Sequence, residues 1–338
     1  MSALQNRQVV LKSRPVGIPQ ADHFEIRAAP VRDIQEGEFL VRNLYLSVEP
    51  AMRGWVNAAS NYSRPVGVGE VMRAFTVGRV VQSRNADYPE GAVVMGLLGW
   101  QEYAVTDGSP VRRVVKETDL PLSLSLGVLG LNGITAYFGL TAVGQPQAGD
   151  TVVVSTAAGA VGSLVGQLAK LQGCRTVGIA GGELKRRLCL EEFGYDAAID
   201  YRQPNLEASL AAACPDGVDV YFDNTSGHIS DTVIRHINRR ARIVICGTAS
   251  IPNWEPWPQG PRVDRHLLNK SARMEGFLAF DYENRYEEAI DFLAPLVRSG
   301  QLRYREEILE GIEAAPGSIA DLYEGKNLGK RLIRLTED

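Results

Sequence analysis

Cysteine is scarce and scattered in this sequence. Four occur in 338 residues, Cys174, Cys189, Cys214 and Cys246, with no C-x-x-C pair and no histidine cluster among them. Such spacing builds neither a zinc site nor a disulfide framework, so four reduced, mostly buried thiols and no bound metal are expected. Excess positive charge is also missing, since 36 Lys and Arg face 40 Asp and Glu for a net charge of −4. A nucleic-acid partner needs a basic face to displace counterions and is therefore excluded, which leaves anionic ligands to be held by local groups. Long hydrophobic runs are absent too. Met1 to Arg14 carries no apolar signal segment, and no run approaches the roughly 20 residues that span a bilayer. The expectation is a soluble, cytoplasmic protein without a membrane partner.

What remains is of ordinary globular composition, 45% hydrophobic and 22% charged, in a chain long enough for two domains. Up to about residue 120 the texture is β-rich. Short runs such as Val9–Leu11, Phe39–Val41, Val77–Val81 and Val93–Met95 are separated by Gly and Pro turns, as in a small barrel or sandwich. Beyond about residue 125, β-branched strands alternate with helical stretches, the pattern of a doubly wound parallel sheet. The tail Lys330–Leu335 reads as an alternating strand returning to the first domain.

The chemistry concentrates after the strand Thr151–Ser155, where Ala157-Ala158-Gly159-Ala160-Val161-Gly162 opens a helix from Ser163 to Leu171. This is the spacing of G-x-G-x-x-G with Ala157 at the first position. Gly159 stands where backbone must approach a pyrophosphate, and Gly162 where helix and strand pack closely. Ala157 is tolerable there if its φ stays negative. A degenerate glycine pattern alone also describes a mere tight turn. The strands that follow at Thr176–Ala180, Ala197–Asp200, Val218–Phe222 and Arg242–Cys246 complete the βαβ series and favour dinucleotide binding.

An NAD site usually has Asp or Glu about 20 residues past the first glycine to bond the ribose 2′-hydroxyl. Here the second strand ends in Ala180-Gly181-Gly182, followed by Lys185, Arg186 and Arg187. Small residues and positive charge suit a 2′-phosphate, so NADP(H) is the expected cofactor. Glu183 complicates this, and the basic run also fits a solvated helix face.

Blocks dispersed along the chain carry a resemblance. They include Asn6–Leu11, Leu46–Gly54, Gly133–Tyr137, Ala157–Ser163, Phe222–Asn224, Met274–Phe277 and Asn327–Lys330. With these the chain resembles the zinc-independent medium-chain dehydrogenase/reductases, in the branch of prostaglandin reductases and alkenal or curcumin-type double-bond reductases. The resemblance implies an α/β fold, with a Rossmann doubly wound parallel sheet domain over 124–299 and a β-rich GroES-like catalytic domain from 1–123 and 300–338. Residues matching Gly159, Ala160, Val161 and Gly162 would hold the pyrophosphate, and Gly182, Lys185 and Tyr201 the 2′-phosphate end. Asn224, Cys246, Gly247, Thr248, Phe277, Leu278, Ala279 and Asn327 would line the path toward the nicotinamide. Tyr201 and Phe277 also fit as ordinary core aromatics.

The implied activity is NADPH-dependent reduction of the C=C bond of enals and enones, including 15-oxoprostaglandin-like substrates, by a homodimer joined along Arg273–Phe280. Zinc-dependent relatives carry a cysteine-rich lobe and a catalytic Cys/His set; the first 120 residues here hold no cysteine and only His23. Tyr62 is the candidate catalytic donor, although a loop aromatic has other uses. Ala51, Met52, Trp254 and Trp257 are candidate substrate-pocket residues, the tryptophans fitting equally a stiff Pro-anchored loop or a subunit interface. Three positions depart from the family pattern: Ala51 where Tyr is common, Ala74-Phe75-Thr76 in place of a glycine-rich stretch, and Asn132 in place of proline. Quinone reduction and a catalytically silent NADP-binding scaffold remain open alternatives.

Overall fold

The computed structural model describes residues 4–58, 62–251, 256 and 258–336. The chain divides into two compact units, residues 1–126 with 306–338, and residues 127–305. The first unit opens with an antiparallel hairpin, β1 (Gln5–Leu11) and β2 (Phe24–Pro30). It continues with β3 (Phe39–Ser47), the short helix α1 (Ala51–Trp55), β4 (Thr76–Ser83), β5 (Val93–Gly96), β6 (Tyr103–Thr106) and β7 (Val111–Val114). In the second unit α2 (Leu131–Phe138) precedes β8 (Thr151–Ser155), α3 (Gly162–Leu171), β9 (Arg175–Ala180), α4 (Glu183–Glu191), β10 (Ala197–Asp200) and α5 (Leu206–Ala213). There follow β11 (Val218–Asp223), α6 (Gly227–Val233), β12 (Ile237–Ile245), α7 (Asp264–Lys270), β13 (Arg273–Gly276) and α8 (Tyr286–Arg298). The chain returns to the first unit through β14 (Glu306–Glu310), α9 (Ala315–Tyr323) and β15 (Lys330–Arg334).

The second unit is a six-stranded parallel sheet in the order β10-β9-β8-β11-β12-β13, which is the 3-2-1-4-5-6 order of a dinucleotide-binding fold. Every residue of β8 is buried, as a central strand covered on both faces requires. On one face Val153, Val177, Ile179, Tyr221 and Ile243 pack with Leu206 and Leu210 of α5 and Ile229 and Val233 of α6. Each such side chain contributes about 1.5–3 kcal/mol of burial free energy.

Two strands differ from the sequence reading. β12 begins at Ile237, five residues before Arg242, because an irregularity of its ladder opposite Val218–Val220 absorbs Arg240 at φ +63°. β13 is a full sixth strand, although its charged sequence Arg-Met-Glu-Gly gives no apolar alternation. It sits at the sheet edge, where one ladder suffices to hold it and exposed charge is normal.

The first unit is a seven-stranded mixed sheet running β14-β15-β3-β4-β5-β7, with β6 also paired to β3. Phe39 and Val41 of β3 pack with Val80, Val94, Leu98 and Ala104. β15 returns beside β3 as expected, but its alternation does not survive, since Lys330, Arg331, Leu332 and Ile333 are all buried. The charges are paired rather than solvated, with Arg331 bonded to Glu307 at 2.8 Å and Asp321 at 3.0 Å.

Candidate functional site

The carboxyl ends of parallel strands lie at one edge of the sheet, and the glycine turn occupies that edge after β8. The residue driven into the left-handed region is Thr156 at φ +54°, one position before Ala157, whose own φ is not positive. The Thr156 carbonyl accepts the Gly159 N–H at 2.8 Å, and the Gly159 carbonyl accepts the Ser163 N–H at 3.0 Å, which carries the turn into α3. A Cβ added at Gly162 would lie 2.3 Å from the Thr156 carbonyl oxygen and 3.0 Å from the Ala157 Cα, so only glycine lets helix and strand meet there. Across the turn, a Cβ at Gly178 would fall 2.8 Å from the Ala157 methyl. The missing side chain on β9 thus makes room for the alanine that replaces the first glycine. Tyr195 holds the start of α3 from outside, donating to the Gly162 carbonyl at 2.6 Å while its ring covers Gly166.

At the end of β9, Gly181 and Gly182 bring the chain close to β10. A Cβ on Gly181 would strike the Tyr201 ring at 2.8 Å, and Gly182 sits at φ +90° as the residue before α4. The Asp200 carboxylate organises this corner, a role that the sequence reading missed. One of its oxygens accepts the N–H of Gly182 at 2.7 Å and of Arg202 at 3.0 Å. Burial alone would raise the Asp200 carboxyl, but these N–H donors, Gln203 and the charge of Arg202 hold it below the usual carboxylate range. Lys185 lies half-buried on the first turn of α4. Arg186 and Arg187, counted in the sequence as further positive charge, are bonded to Glu183 and Glu191 along the same helix.

At the ends of β11 and β12 the fully buried Asp223 gathers donors on one oxygen: Tyr221 Oη at 3.0 Å, Thr225 N at 2.9 Å, Thr225 Oγ1 at 3.2 Å, Ser226 N at 2.8 Å and Ser155 Oγ at 3.3 Å. Ser226 is held at φ +59°, ψ −163°, a conformation that side chains rarely adopt and that costs on the order of 1–3 kcal/mol. This strained turn presents Asn224, tied to β8 by N–H to Ser155 Oγ at 2.8 Å and by its amide nitrogen to the Ser155 carbonyl at 2.7 Å. Cys246 and Gly247 donate their N–H groups to the Asp223 carbonyl at 2.8 and 3.1 Å, and a Cβ on Gly247 would crowd the Asn224 carbonyl at 2.9 Å. Burial, reinforced by the nearby Asp223 charge, pushes the Cys246 thiol up to about 12, so it stays protonated. Thr248 follows in the same loop and accepts the Ile251 N–H at 3.0 Å. Past β13, Phe277 stands edge-on to Phe222 with centroids 6.5 Å apart, both rings filling the space over Gly139, while Leu278 bonds Asp281 and Ala279 is buried. Gly159–Gly162, Gly182, Lys185, Tyr201, Asn224, Cys246–Thr248 and Phe277–Ala279 therefore fall at one edge of one unit.

The remaining candidates belong to the other unit. Ala51 opens α1 half-buried, whereas Met52 has no exposed surface and packs as core. Tyr62 keeps 49% of its surface exposed. Burial of part of its ring raises its phenol pKa, Trp55 and Arg73 opposing and Glu49 reinforcing the rise. Arg73 anchors the next residues through Ser63 Oγ at 3.1 Å and the Arg64 carbonyl at 2.8 Å. Asn327 donates to the Gly329 carbonyl at 2.9 Å. Immediately after it, the buried Lys330 ammonium donates to Ser47 Oγ at 2.6 Å, the Val48 carbonyl at 3.2 Å and Glu49 at 3.3 Å. This link joins the Asn327 turn to the segment before Ala51. Sequence reasoning recognised both blocks without seeing that they meet. Trp254 and Trp257 lie outside the described residues.

The residues fit a dinucleotide on geometric grounds: the turn has glycine at 159 and 162, where backbone must approach a ligand and helix must meet strand, and the Asp200 and Asp223 carboxylates at that edge accept backbone N–H groups. Among the described residues no group of three or more His, Cys, Asp or Glu is placed to hold a metal ion.

Residues 7–114 match the model of an N-terminal domain of oxidoreductases, and residues 160–295 match that of zinc-binding dehydrogenases. The chain is 42% identical to the NADPH-dependent curcumin reductase of Escherichia coli (strain K12), over 99% of this chain and 98% of that protein. It is 39% identical to prostaglandin reductase 1 of Rattus norvegicus, over 98% of this chain and 99% of that protein. The crystal structure of CurA in complex with NADPH from Vibrio vulnificus superposes with a TM-score of 0.92 at 41% identity, covering 98% of this chain and 100% of that one. With this likeness running over both units, the chain belongs to the zinc-independent medium-chain dehydrogenase/reductases, in the branch of the curcumin and prostaglandin reductases.

Proposed function

We propose that this protein is an NADPH-dependent reductase of the C=C bond of α,β-unsaturated aldehydes and ketones. The observation that carries the reading is identity of 36–42% over nearly the full length of relatives named as an NADPH-dependent curcumin reductase, an NADP-dependent 2-alkenal reductase and a prostaglandin reductase. NADPH, when bound, supplies a hydride for the β-carbon of a polarised double bond. The protein's part begins with the cofactor. Gly159 lets the backbone approach the pyrophosphate, the N–H groups of Ala160, Val161 and Gly162 at the start of α3 receive it, and Gly182, Lys185 and Tyr201 receive the adenosine 2′-phosphate. Asn224, Cys246–Thr248 and Phe277–Ala279 contact the cofactor toward its nicotinamide end. Residues 127–305 serve as the cofactor domain and the other unit as the catalytic domain.

Tyr62 donates a hydrogen bond to the substrate carbonyl oxygen, where enolate charge develops, and such a donor is worth roughly 10²–10³ in rate when well aimed. Ala51, in place of the family's common tyrosine, widens the substrate space beside it and removes a second donor. Tyr62→Phe is expected to lower enone turnover by about 100-fold or more with the NADPH dissociation constant unchanged. The raised phenol pKa fixes the sign of the pH dependence. The donor is protonated, and activity intact, through neutral and mildly alkaline pH, and activity falls only as pH rises through a value above the usual tyrosine range. A falling limb below pH 9 in kcat/KM would assign the donor elsewhere.

The direct test is NADPH oxidation with a panel of 2-alkenals, enones and quinones. Turnover of quinones alone would defeat the double-bond reading, and tight NADPH binding without turnover would defeat catalysis. The protein acts as a homodimer through β13, whose outer edge is open and whose Gly276 has no atom within 4 Å of an added Cβ. Sedimentation equilibrium should return twice the chain mass; a single-chain mass at micromolar concentration would contradict this. Among the described residues no helix is long and apolar enough to cross a membrane.

A further inference from the structure

Four cations stand near the carboxyl end of β9, and their partners divide them. Arg186 is held by both Glu183 oxygens at 2.7 and 2.8 Å, and Arg187 by both Glu191 oxygens at 2.9 and 3.1 Å. Either would have to leave a two-pronged ion pair to meet a ligand. Lys185 is on the first turn of α4. Arg202, in the turn after β10, differs from all three: its guanidinium makes no hydrogen bond or ion pair among the described residues. It also lies at the glycine corner, with Nη1 3.6 Å from where a Gly182 Cβ would be.

Its placement is built. Asp200, only 7% exposed, accepts the Gly182 and Arg202 N–H groups on the same oxygen at 2.7 and 3.0 Å, so one carboxylate clamps the two turns together. An NAD site carries its ribose-binding acid at the end of the second strand, here β9, whereas the acid present, Asp200, ends β10. Here it lies beneath the turn with backbone donors on it. What faces outward is a fork of N–H donors, beside a nine-residue helix whose N-terminal dipole favours negative charge.

We propose that Arg202 is the second cation, with Lys185, that selects the adenosine 2′-phosphate of NADPH over the 2′-hydroxyl of NADH, and that Asp200 is the positioning residue that aims it. The inference rests on the NADPH reading above and assigns its selectivity to a residue outside the basic run of α4. A planar guanidinium meets a phosphate through two parallel N–H bonds, and Arg202 does so without breaking an existing pair.

The test is titration of the full-length protein with NADPH, NADH and 2′,5′-ADP, read by ligand fluorescence or calorimetry. Arg202→Ala is expected to weaken NADPH and 2′,5′-ADP by about 10- to 100-fold while NADH changes by less than about twofold, and Arg202→Lys should recover part of the loss. Arg186→Ala should leave all three ligands within about twofold. Asp200→Ala is expected to lower the ratio of NADPH to NADH affinity, which general loosening of the fold would not move, and should add little to Arg202→Ala. Equal loss of NADPH and NADH in Arg202→Ala, unchanged 2′,5′-ADP binding, or an Arg186→Ala effect as large as that of Arg202→Ala would each overturn the assignment. A wild-type protein that binds NADPH no better than NADH would instead remove the cofactor reading itself, and this inference with it.

Discussion

Gly162→Ala is expected to weaken NADPH by about 100-fold or more, equivalent to about 2.8 kcal/mol. The added methyl would sit 2.3 Å from a backbone oxygen, and backbone cannot turn aside as a side chain can. Neither wall of the turn can yield cheaply. Thr156 is already left-handed, and its carbonyl is bonded to Gly159. On the other side Tyr195 grips the Gly162 carbonyl at 2.6 Å. Relief must therefore come from opening the turn, which carries the N–H groups of Ala160, Val161 and Gly162 away from where a pyrophosphate would meet them. The change falls on the ligand more than on the fold, because β8 and the body of α3 stay buried. NADPH fluorescence titration beside a thermal melt checks both parts. Binding within twofold of the parent would contradict the role given to this turn.

Lys330→Met is the second large effect, and it concerns stability. Lys330 and Glu49 are 4% and 6% exposed and share Ser47, so removing the ammonium leaves a carboxylate buried without its counter-charge. Breaking a buried pair from one side costs about 3–5 kcal/mol, whereas replacing both partners is nearly neutral. Lys330→Met should therefore lower the first thermal transition by several degrees, and adding Glu49→Gln should restore much of the loss. Burial lowers the Lys330 pKa despite the opposing pull of Glu49 and Glu306. The sign follows: the folded state holds that proton less tightly than the unfolded chain. The resulting penalty is present below the folded pKa and fades as pH rises toward 10.5. An unchanged melt in Lys330→Met would show that the pair contributes nothing.

Much of this was legible in the sequence, and what was not has identifiable physical causes. The buried strands β8, β9 and β11 are rich enough in β-branched and aromatic residues to announce themselves, and the glycine turn falls between strand and helix as its spacing indicates. β13 escaped because an edge strand needs no apolar alternation. Lys330 and Arg331 misled for the opposite reason: in a strand, charge reads as a solvent face, yet here each cation has a carboxylate brought from a distant segment. Arg186 and Arg187 look like ligands in one dimension because their glutamate partners only become neighbours once a helix forms. Asp200 and Arg202 were invisible as a unit, since nothing in Ile-Asp-Tyr-Arg says that one carboxylate will reach back eighteen residues to Gly182. The compensation between Ala157 and Gly178 likewise exists only across two adjacent strands.

The position of β15 between β14 and β3 has a consequence for synthesis. The strand that closes one side of β3 is encoded after the whole parallel-sheet unit, so during translation that unit can complete its own sheet while β3 still waits with an unpaired edge. The stretch left open is Tyr45–Ser47, which pairs β15, whereas Phe39–Arg42 is already paired with β6; an open edge there, beside Leu44 and Leu46, is a place where a neighbouring chain can pair instead. Chains stopped before Lys330 would therefore be expected to accumulate as aggregates or proteolytic fragments, with an intact cofactor-type domain surviving digestion.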